Sequence, residues 1–211
     1  TLALSPSVDA VTSRYHDSHR RNIRAAEKRG VRVEQAQSLE AVATFYKLHL
    51  QTRRRQGIPI QPWRFFELLE KNLIEKGLGF VLLAFKDGAC LAAAIFLRWH
   101  QTLIYKYGAS AMDGLNLRPN NLLFARAIRW GCENGYSLFD LGKTDLSNTG
   151  LRAFKSGWGA EEIPQCYSML ANKTQNSNTS RLLPIMQNII KRSPTWVCRV
   201  SGELLYKHFG T

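Results

Sequence analysis

The stretch from residue 102 to residue 159 constrains the fold most, because it predicts a strand, a helix and a second strand in succession. The run TLIYKYGAS is short and rich in Ile, Leu and Tyr, as strands are. The next run has Pro119 near its start, apolar residues every three or four positions and Gly135 as its stop, which predicts an amphipathic helix. The run SLFDLG then predicts a buried strand. Two strands joined through a helix pair in parallel, with a right-handed crossover.

Polar residues follow the second of these strands directly, at the sheet edge where open α/β sheets bind ligands. They are Lys143, Thr144, Asp145 and Asn148. A short helix over 148–156 comes next and carries Arg152, Phe154 and Lys155. We therefore expect the functional site at this edge.

The rest of the chain predicts a mixed sheet. VRVEQA is a strand, and two amphipathic helices follow over 38–57 and 62–77. Three antiparallel strands then share the run 78–110, with turns at Asp87-Gly88 and at His100-Gln101. AEEIPQCYSML predicts a last strand, residues 1–11 a linker, and the C-terminal part a polar loop and two helices. The fold class is therefore α/β (α+β), with a mixed, mostly antiparallel sheet and helices on both faces.

The charge balance indicates an anionic partner. The 211 residues carry a net charge of +13, and 45% of them are apolar, enough for a real core in one domain with appendages or two small domains. Nucleic acid, anionic lipid and a phosphate-bearing substrate all fit such a charge. A soluble basic surface without a partner is the alternative.

The cysteines indicate neither a metal site nor a disulfide scaffold. The four cysteines form no CxxC pair and have no His residues clustered with them, so we expect free thiols and no bound metal. No apolar run reaches about 18 residues, the length of a membrane-spanning helix. The sequence opens on Thr and shows no secretory signal, and we expect it to be a piece of a longer protein.

Two basic segments each have two interpretations. The run SRYHDSHRRNIRAAEKRG predicts a basic helix, which is either a solvated rim or an anion-binding face formed by Arg20, Arg21 and Arg24. The triplet Arg53, Arg54 and Arg55 ends another helix. There it either complements the helix dipole or forms a phosphate clamp.

The order of elements resembles the GNAT acyltransferase fold. Four strings resemble its FemABX-type branch: RRNIRAAEKRGVRVE, FYKLHLQTRRRQGIP, the pair NLLFARAI and FDLGKTD, and GLRAFKSGWGAEE. That branch includes peptidoglycan-bridge aminoacyltransferases and FemAB-like proteins of exopolysaccharide systems, and its members usually have two GNAT-like halves. The resemblance covers residues 14–170. It implies that 1–30 end a missing first half, that 31–170 form the GNAT-like domain, and that 171–211 are the loop and closing helices.

One motif departs from ordinary GNAT enzymes, which carry R/Q-x-x-G-x-G/A where the coenzyme A pyrophosphate binds a helix N-terminus. This chain has Arg118, Asn120, Asn121 and Leu123 there, with neither glycine. The side chains are expected to crowd a pyrophosphate. The resemblance then favours aminoacyl-tRNA as donor, with acetyl-CoA or another acyl-CoA as the alternative, and no tightly bound cofactor. The positive charge agrees, since phosphate neutralisation drives tRNA binding.

Acyl transfer to an amine needs deprotonation of the amine and a stabilised oxyanion. Lys155 can supply the positive charge, and in the Fem branch the Phe-Lys pair, here Phe154 and Lys155, holds the acceptor end of the tRNA. Asp145 is either a base or a carboxylate that positions the amine, or it caps the following helix. Lys155 is otherwise an exposed lysine.

The remaining candidates are substrate contacts. Tyr105 and Tyr107 alternate on one strand, so one is expected to face the cleft and the other the core. Lys143, Arg152 and Arg118 are candidates for phosphate contact, and Thr144 and Asn148 lie beside them. The chain is thus expected to be a cytoplasmic acyltransferase acting on an anionic cell-wall or exopolysaccharide precursor, in peripheral contact with an anionic membrane. A catalytically silent module that binds RNA or an anionic glycan carrier is the alternative.

Overall fold

The computed structural model describes residues 1–166 and 187–209, with side chains of the last helix described up to residue 203. Its sheet has six strands: β1 Leu2–Ala3, β2 Arg32–Ala36, β3 Gly79–Lys86, β4 Ala89–Trp99, β5 Thr102–Ser110 and β6 Leu138–Asp140. Their order across the sheet is β1-β6-β5-β4-β3-β2. Only β5 and β6 pair in parallel, and the other neighbours are antiparallel.

The helices lie between the strands in sequence. They are α1 Val8–Thr12, α2 Asp17–Lys28, α3 Leu39–Gln56, α4 Trp63–Leu69, α5 Pro119–Glu133, α6 Thr149–Ser156 and α7 Thr195–Phe209. A π-helical turn, Glu70–Ile74, continues α4, and residues 187–192 are also helical. The predicted mixed sheet and its strand–helix–strand unit are therefore confirmed.

Each face of the sheet covers its own core, because alternate residues of β4 point to opposite sides. Ala92, Ala94 and Phe96 belong to the first core, which also holds residues of α1, α2 and α5. Ala93 and Ile95 belong to the second core, with residues of α3, α4 and α7. Helices on both faces are thus confirmed as well.

The central strand β5 contains a bulge. On β4, Phe96 lies opposite Tyr105 and Ile95 lies opposite Tyr107, so Lys106 has no partner in the ladder. An extra residue reverses the alternation of side chains. Tyr105 therefore packs against the first core, and Tyr107 packs against the second.

Two predictions at the ends of the domain are wrong. Residues 1–11 are not a linker, since β1 pairs with β6 and the side chains of Leu2 and Val11 are fully buried. The last predicted strand is absent from residues 160–166, and 167–170 lie outside the described residues. Instead, Glu161 exchanges backbone hydrogen bonds with Thr1 at 2.7 and 2.8 Å. The predicted polar loop also lies outside the described residues, up to residue 186.

The turns follow from local residue choice. Asp87 and Gly88 have φ angles of 50° and 78°, the left-handed pair that a two-residue hairpin of type I′ needs. The predicted hairpin is confirmed.

Across residues 1–166 and 187–209, none of the helices is both long enough and apolar enough to cross a membrane.

A histidine is buried in the second core. His49 is 3% exposed and stacks on Phe45 with 5.0 Å between ring centroids. Its Nε2 lies 3.3 Å from Oε1 of Gln61, which is buried too. Burial, and then the charge of Arg53, lower the pKa of His49 from 6.5 to about 4. The imidazole is therefore neutral in the folded protein at neutral pH.

This burial predicts acid sensitivity. Between pH 6.5 and 4 the unfolded chain binds a proton at His49 that the folded chain does not, so the free energy of unfolding should fall as the pH falls. The contribution is about 3 kcal/mol at about 1.4 kcal/mol per unit. Urea titrations at pH 7, 5.5 and 4 should show that His49→Gln removes this part of the pH dependence.

The matched control is His100→Asn, which changes an exposed histidine at a left-handed turn position that asparagine tolerates. It should leave the pH dependence as in the wild type. An unchanged pH dependence in His49→Gln would show that His49 is not held neutral by burial.

Candidate active site

The candidate site lies where β5 and β6 separate. Residues 102–104 of β5 pair with residues 138–140 of β6. Beyond Ile104, β5 pairs only with β4 within the described sheet. The chain leaves β6 in the site loop, residues 141–148, and enters α6. The N-terminus of α5 also follows β5. This is the edge at which the sequence predicted a ligand.

Lys155 lies over this edge. Its Nζ donates hydrogen bonds to the carbonyl oxygens of Gly142 at 2.7 Å and of Lys143 at 3.3 Å. Gly142 has a φ of 73°, which is the left-handed region that favours glycine. An ammonium has three N–H donors, and these carbonyls occupy two of them. Lys155 is therefore a fixed cation with a third donor for a ligand.

Asp140 is a functional candidate that sequence reasoning missed. It is half-buried, and its Oδ1 accepts a hydrogen bond from the backbone N–H of Gly142 at 2.8 Å. Burial lowers the pKa of Lys155, and the charge of Asp140 opposes that shift. The run FDLG predicts a buried strand, and that pattern alone assigns no role to Asp140. An acidic residue at the last position of such a strand was the signal available.

Helix α2 fixes the position of α6. His19 is 6% exposed, and its Nε2 donates a hydrogen bond to the carbonyl oxygen of Phe154 at 2.9 Å. The backbone N–H of His16 donates to the carbonyl of Gly157 at 2.8 Å. A Cβ at Gly157 would lie 2.8 Å from the His19 ring, so only glycine fits. His19 is thus a positioning residue that the sequence did not single out.

The ring of Phe154 is part of the core. Its centroid lies 5.1 Å from that of Phe124 and 5.8 Å from that of the fully buried Trp158. Phe154 therefore anchors α6 through its ring, while Lys155, one residue on, is turned towards the site loop. The two residues that the resemblance paired do have different environments.

Asp145 and Asn148 organise the site loop. Oδ1 of Asp145 accepts hydrogen bonds from the N–H and the hydroxyl of Ser147, at 2.9 and 2.7 Å. These bonds lower the pKa of the exposed Asp145. Asn148, not Asp145, caps α6 by accepting from the N–H of Leu151 at 3.1 Å. Thr144, by contrast, has a buried hydroxyl without a hydrogen-bond partner in the described structure.

Arg152 does not offer its guanidinium to a phosphate, which corrects the prediction. Its Nε and one Nη donate to the two carboxylate oxygens of Glu162 at 2.8 and 2.7 Å, and the other Nη donates to the carbonyl of Leu146. Glu162 accordingly raises the pKa of Arg152. Arg152 braces residues 160–162 and the site loop against α6. Lys143 is exposed, and its carbonyl accepts from Lys155.

The two tyrosines do not share the site, because the bulge separates them. The Tyr105 ring lies 4.8 Å from Phe124 on the α6 side of the sheet, and burial raises the pKa of Tyr105 to about 12. Tyr107 packs in the second core against Phe66, at 5.7 Å. The substrate role predicted for Tyr107 is therefore wrong for this arrangement, whereas Tyr105 borders the site.

The N-terminus of α5 is open to an anion. Arg118 is exposed with a φ of 59°, no side chain caps the helix, and Asn120 is half-buried beside it. Asn121 is 6% exposed, and its Nδ2 has no hydrogen-bond partner among the described residues. Leu123 packs into the first core instead of over the helix end. The expected crowding of a pyrophosphate therefore rests on Asn121 alone.

The arginine triplet of α3 is not one clamp. Nε of Arg54 donates to the carbonyl of Ser193, and both Nη atoms of Arg55 lie 3.4 and 3.5 Å from the carbonyl of Ser110. The charge of Arg53 lowers the pKa of the buried His49. Two of the three arginines thus bond to backbone carbonyls of neighbouring segments. The interpretation as cations that complement the helix dipole therefore fits better than a phosphate clamp. On α2, Arg21 and Arg24 are exposed and Arg20 is half-buried.

Together, the site offers a fixed cation, a nearby carboxylate and an uncapped helix N-terminus at one sheet edge. This set can stabilise an oxyanion and bind a phosphate. Within residues 1–166 and 187–203, no three His, Cys, Asp or Glu side chains are grouped to hold a metal ion. The four cysteines are unpaired, and Cys132 and Cys198 are buried.

The profile of the Acetyltransferase (GNAT) domain family matches residues 13–159. Since that is more than half of the chain, the protein belongs to the Acetyltransferase (GNAT) domain family. A search of curated proteins finds no match.

Solved structures share the fold. The crystal structure of FemX is 20% identical, with a TM-score of 0.68 over 75% of this chain and 58% of that one. The resemblance to the FemABX-type branch is thus confirmed at the level of fold, and this chain spans 58% of the FemX chain.

Two aminoglycoside acetyltransferases are also similar. AAC(6')-Iy in complex with the bisubstrate analogue CoA-S-monomethyl-acetylneamine is 14% identical, with a TM-score of 0.54 over 68% of this chain and 99% of that one. AAC(6')-Ih from Acinetobacter baumannii is 13% identical, with a TM-score of 0.53 over 69% of this chain and 100% of that one.

The coupling between Asp140 and Lys155 can be measured. Asp140→Asn removes a negative charge that raises the pKa of Lys155, so this pKa should fall below its wild-type value. The readout is an NMR titration of the Lys155 side chain. Asp145→Asn, which changes a carboxylate of the same site loop, should leave the Lys155 pKa within about 0.2 units. Equal shifts in both variants would contradict the assignment of Asp140 as the charge partner.

Proposed function

We propose that this chain transfers an acyl or aminoacyl group to an amine of a cell-wall or exopolysaccharide precursor, with aminoacyl-tRNA as donor. The observation that carries the proposal is the placement of Lys155. Its ammonium is held by two carbonyls at the point where β5 and β6 separate, with its third donor available. A fixed cation at this point suits the oxyanion that forms when an amine attacks an ester carbonyl.

The carboxylates take separate roles in this proposal. Asp140 keeps Lys155 charged and in place. Asp145 is a weak base because its hydrogen bonds with Ser147 lower its pKa, so it suits binding of the incoming ammonium group more than its deprotonation. Tyr105 and Phe154 form the apolar wall beside them. The exposed Lys143 faces the substrate from the site loop, whereas the Asn148 side chain caps α6 and the Thr144 hydroxyl is buried, so these two residues shape the loop.

The donor is inferred from charge and from the α5 N-terminus. The net charge of +13 and the arginines of α2 support a polyphosphate ligand such as tRNA. Arg118, Asn120 and Asn121 would contact phosphate there, but the glycines that admit a coenzyme A pyrophosphate are absent. A first GNAT-like half, a cytoplasmic location and contact with an anionic membrane belong to the same proposal.

Acyl-CoA as donor is the second candidate. It is favoured by the family match and by AAC(6')-Iy, which binds a coenzyme A bisubstrate analogue. The open N-terminus of α5 is compatible with a pyrophosphate if Asn121 can be accommodated.

Lys155→Ala should lower turnover by about 100-fold or more, because removal of one oxyanion donor typically has that effect. The assay is single-turnover transfer from bulk tRNA charged with labelled amino acids to cell-wall precursor amines, with this chain and with any longer protein that contains it. Lys155→Arg should rescue only partly, since a planar fork replaces a point charge.

Lys71→Ala is the control, because Lys71 is exposed on the turn after α4, away from the site. It should keep full turnover, and circular dichroism should show that all variants fold. Near-wild-type turnover in Lys155→Ala would contradict the proposed mechanism.

Calorimetry with acetyl-CoA separates the donors. The wild type should bind with a Kd of about 1 mM or weaker, roughly −4 kcal/mol. Asn121→Gly restores a glycine of the phosphate motif and should tighten binding if the Asn121 side chain is the obstacle. A low-micromolar Kd for the wild type would refute aminoacyl-tRNA as the donor argued here and favour acyl-CoA.

A further inference from the structure

A second basic site lies between α2 and α5. A groove of about 540 Å³ runs between the two helices, and none of the residues that line it comes from α6 or the site loop. Four arginines and one glutamate line its walls: Arg20, Arg24, Arg126, Arg129 and Glu27. Residues 20 and 24, like residues 126 and 129, lie one helical turn apart, so each helix presents a pair of arginines on one side.

These arginines differ in how far they are already engaged. Arg20 is paired with Asp17 at 3.2 Å and donates to the carbonyls of Thr12 and Ser13. Arg129 lies 3.9 Å from Glu133, a weak pair. Arg24 and Arg126 are exposed, and neither has an ion pair among the described residues. Two guanidinium groups from opposite walls are therefore available to an anion.

A buried tyrosine also lines the groove. Tyr15 lines the groove and is 5% exposed, yet its hydroxyl makes no hydrogen bond within the described structure. Its ring is fixed edge-on against Trp158, with 4.8 Å between centroids. Buried hydroxyl groups are normally paired, and an unpaired one is unfavourable. A ligand oxygen would complete this site.

We propose that the α2–α5 groove binds a phosphate-bearing ligand, with Arg24 and Arg126 as its charged contacts and the Tyr15 hydroxyl as a third donor. Guanidinium groups bind phosphate oxygens in a planar, two-point manner. The volume lies within the range of small-ligand sites, which suits a pyrophosphate or two successive phosphodiesters. The inference shares the arginines of α2 with the donor argument above but involves no residue of the Lys155 site, so binding in the groove and transfer at Lys155 can fail separately.

The test measures binding of two probes to the 211-residue chain: inorganic pyrophosphate by calorimetry, and a fluorescein-labelled single-stranded RNA 12-mer by anisotropy. The double variant Arg24→Ala/Arg126→Ala should weaken binding of the occupying probe by about tenfold or more, as loss of charge-assisted hydrogen bonds does. Tyr15→Phe should weaken it about threefold while urea titration shows no loss of stability, since the hydroxyl has no protein partner to lose.

Lys28→Ala is the matched control, because it removes one positive charge from an exposed position of the same helix and Lys28 does not line the groove. It should change the affinity for either probe less than about twofold, because salt screens most of the effect of a charge outside the groove. If pyrophosphate binds and displaces the RNA, the ligand is a small diphosphate. If the RNA binds, is weakened by the double variant and resists pyrophosphate, the ligand is an RNA backbone. Losses in Lys28→Ala equal to those in the double variant, no loss in the double variant, or binding of neither probe would overturn the proposal.

Discussion

The short pairing between β5 and β6 is the constraint on which the site depends. Three residues of each strand are paired, and the strands then part. The gap exposes the sheet edge, receives the site loop and gives Lys155 two carbonyls to hold it. If β6 continued to pair with β5, the carbonyls of Gly142 and Lys143 would accept hydrogen bonds from β5. Lys155 would then lose the two acceptors that hold its ammonium group. Backbone carbonyls that the sheet leaves unpaired thus hold the lysine at the candidate site.

Helix α2 and the turn before it, residues 13–16, link this edge to the rest of the molecule. His19 holds the carboxyl end of α6, Tyr15 packs on Trp158, and the arginines of α2 line a groove on another side. A segment that the sequence marked as merely basic therefore has two structural faces, one buried and aromatic, one cationic. The segment has few apolar residues, so the sequence does not reveal how much of it is buried. Two of its buried side chains, His19 and Tyr15, carry polar groups.

The sequence predicted the order of elements and the edge that carries the site, because periodicity, Pro119 and the hairpin turn report on local structure. What it missed depends on tertiary contacts. Tyr105 and Tyr107 lie on opposite sides, as expected, but residues two apart on a regular strand share a face, and it is the bulge at Lys106 that separates them. Arg152 forms an ion pair with Glu162, and Asn148 instead of Asp145 caps α6. Asp140 ends β6 as the apolar run predicts, but that pattern does not indicate that its charge acts on Lys155. Leu2 and Val11 show that a short segment can join a core without a visible pattern.

The bulge in β5 also limits how the length of this domain can vary during evolution. Surface loops can in general gain or lose residues without moving either core. A paired strand such as β5 has no such freedom, because loss or gain of one residue would send every side chain beyond that point to the opposite face. The bulge is the exception, since without Lys106 the side chains of Tyr105 and Tyr107 would be neighbours and would still point to opposite faces. The one position at which β5 can change its length is therefore the position of its extra residue.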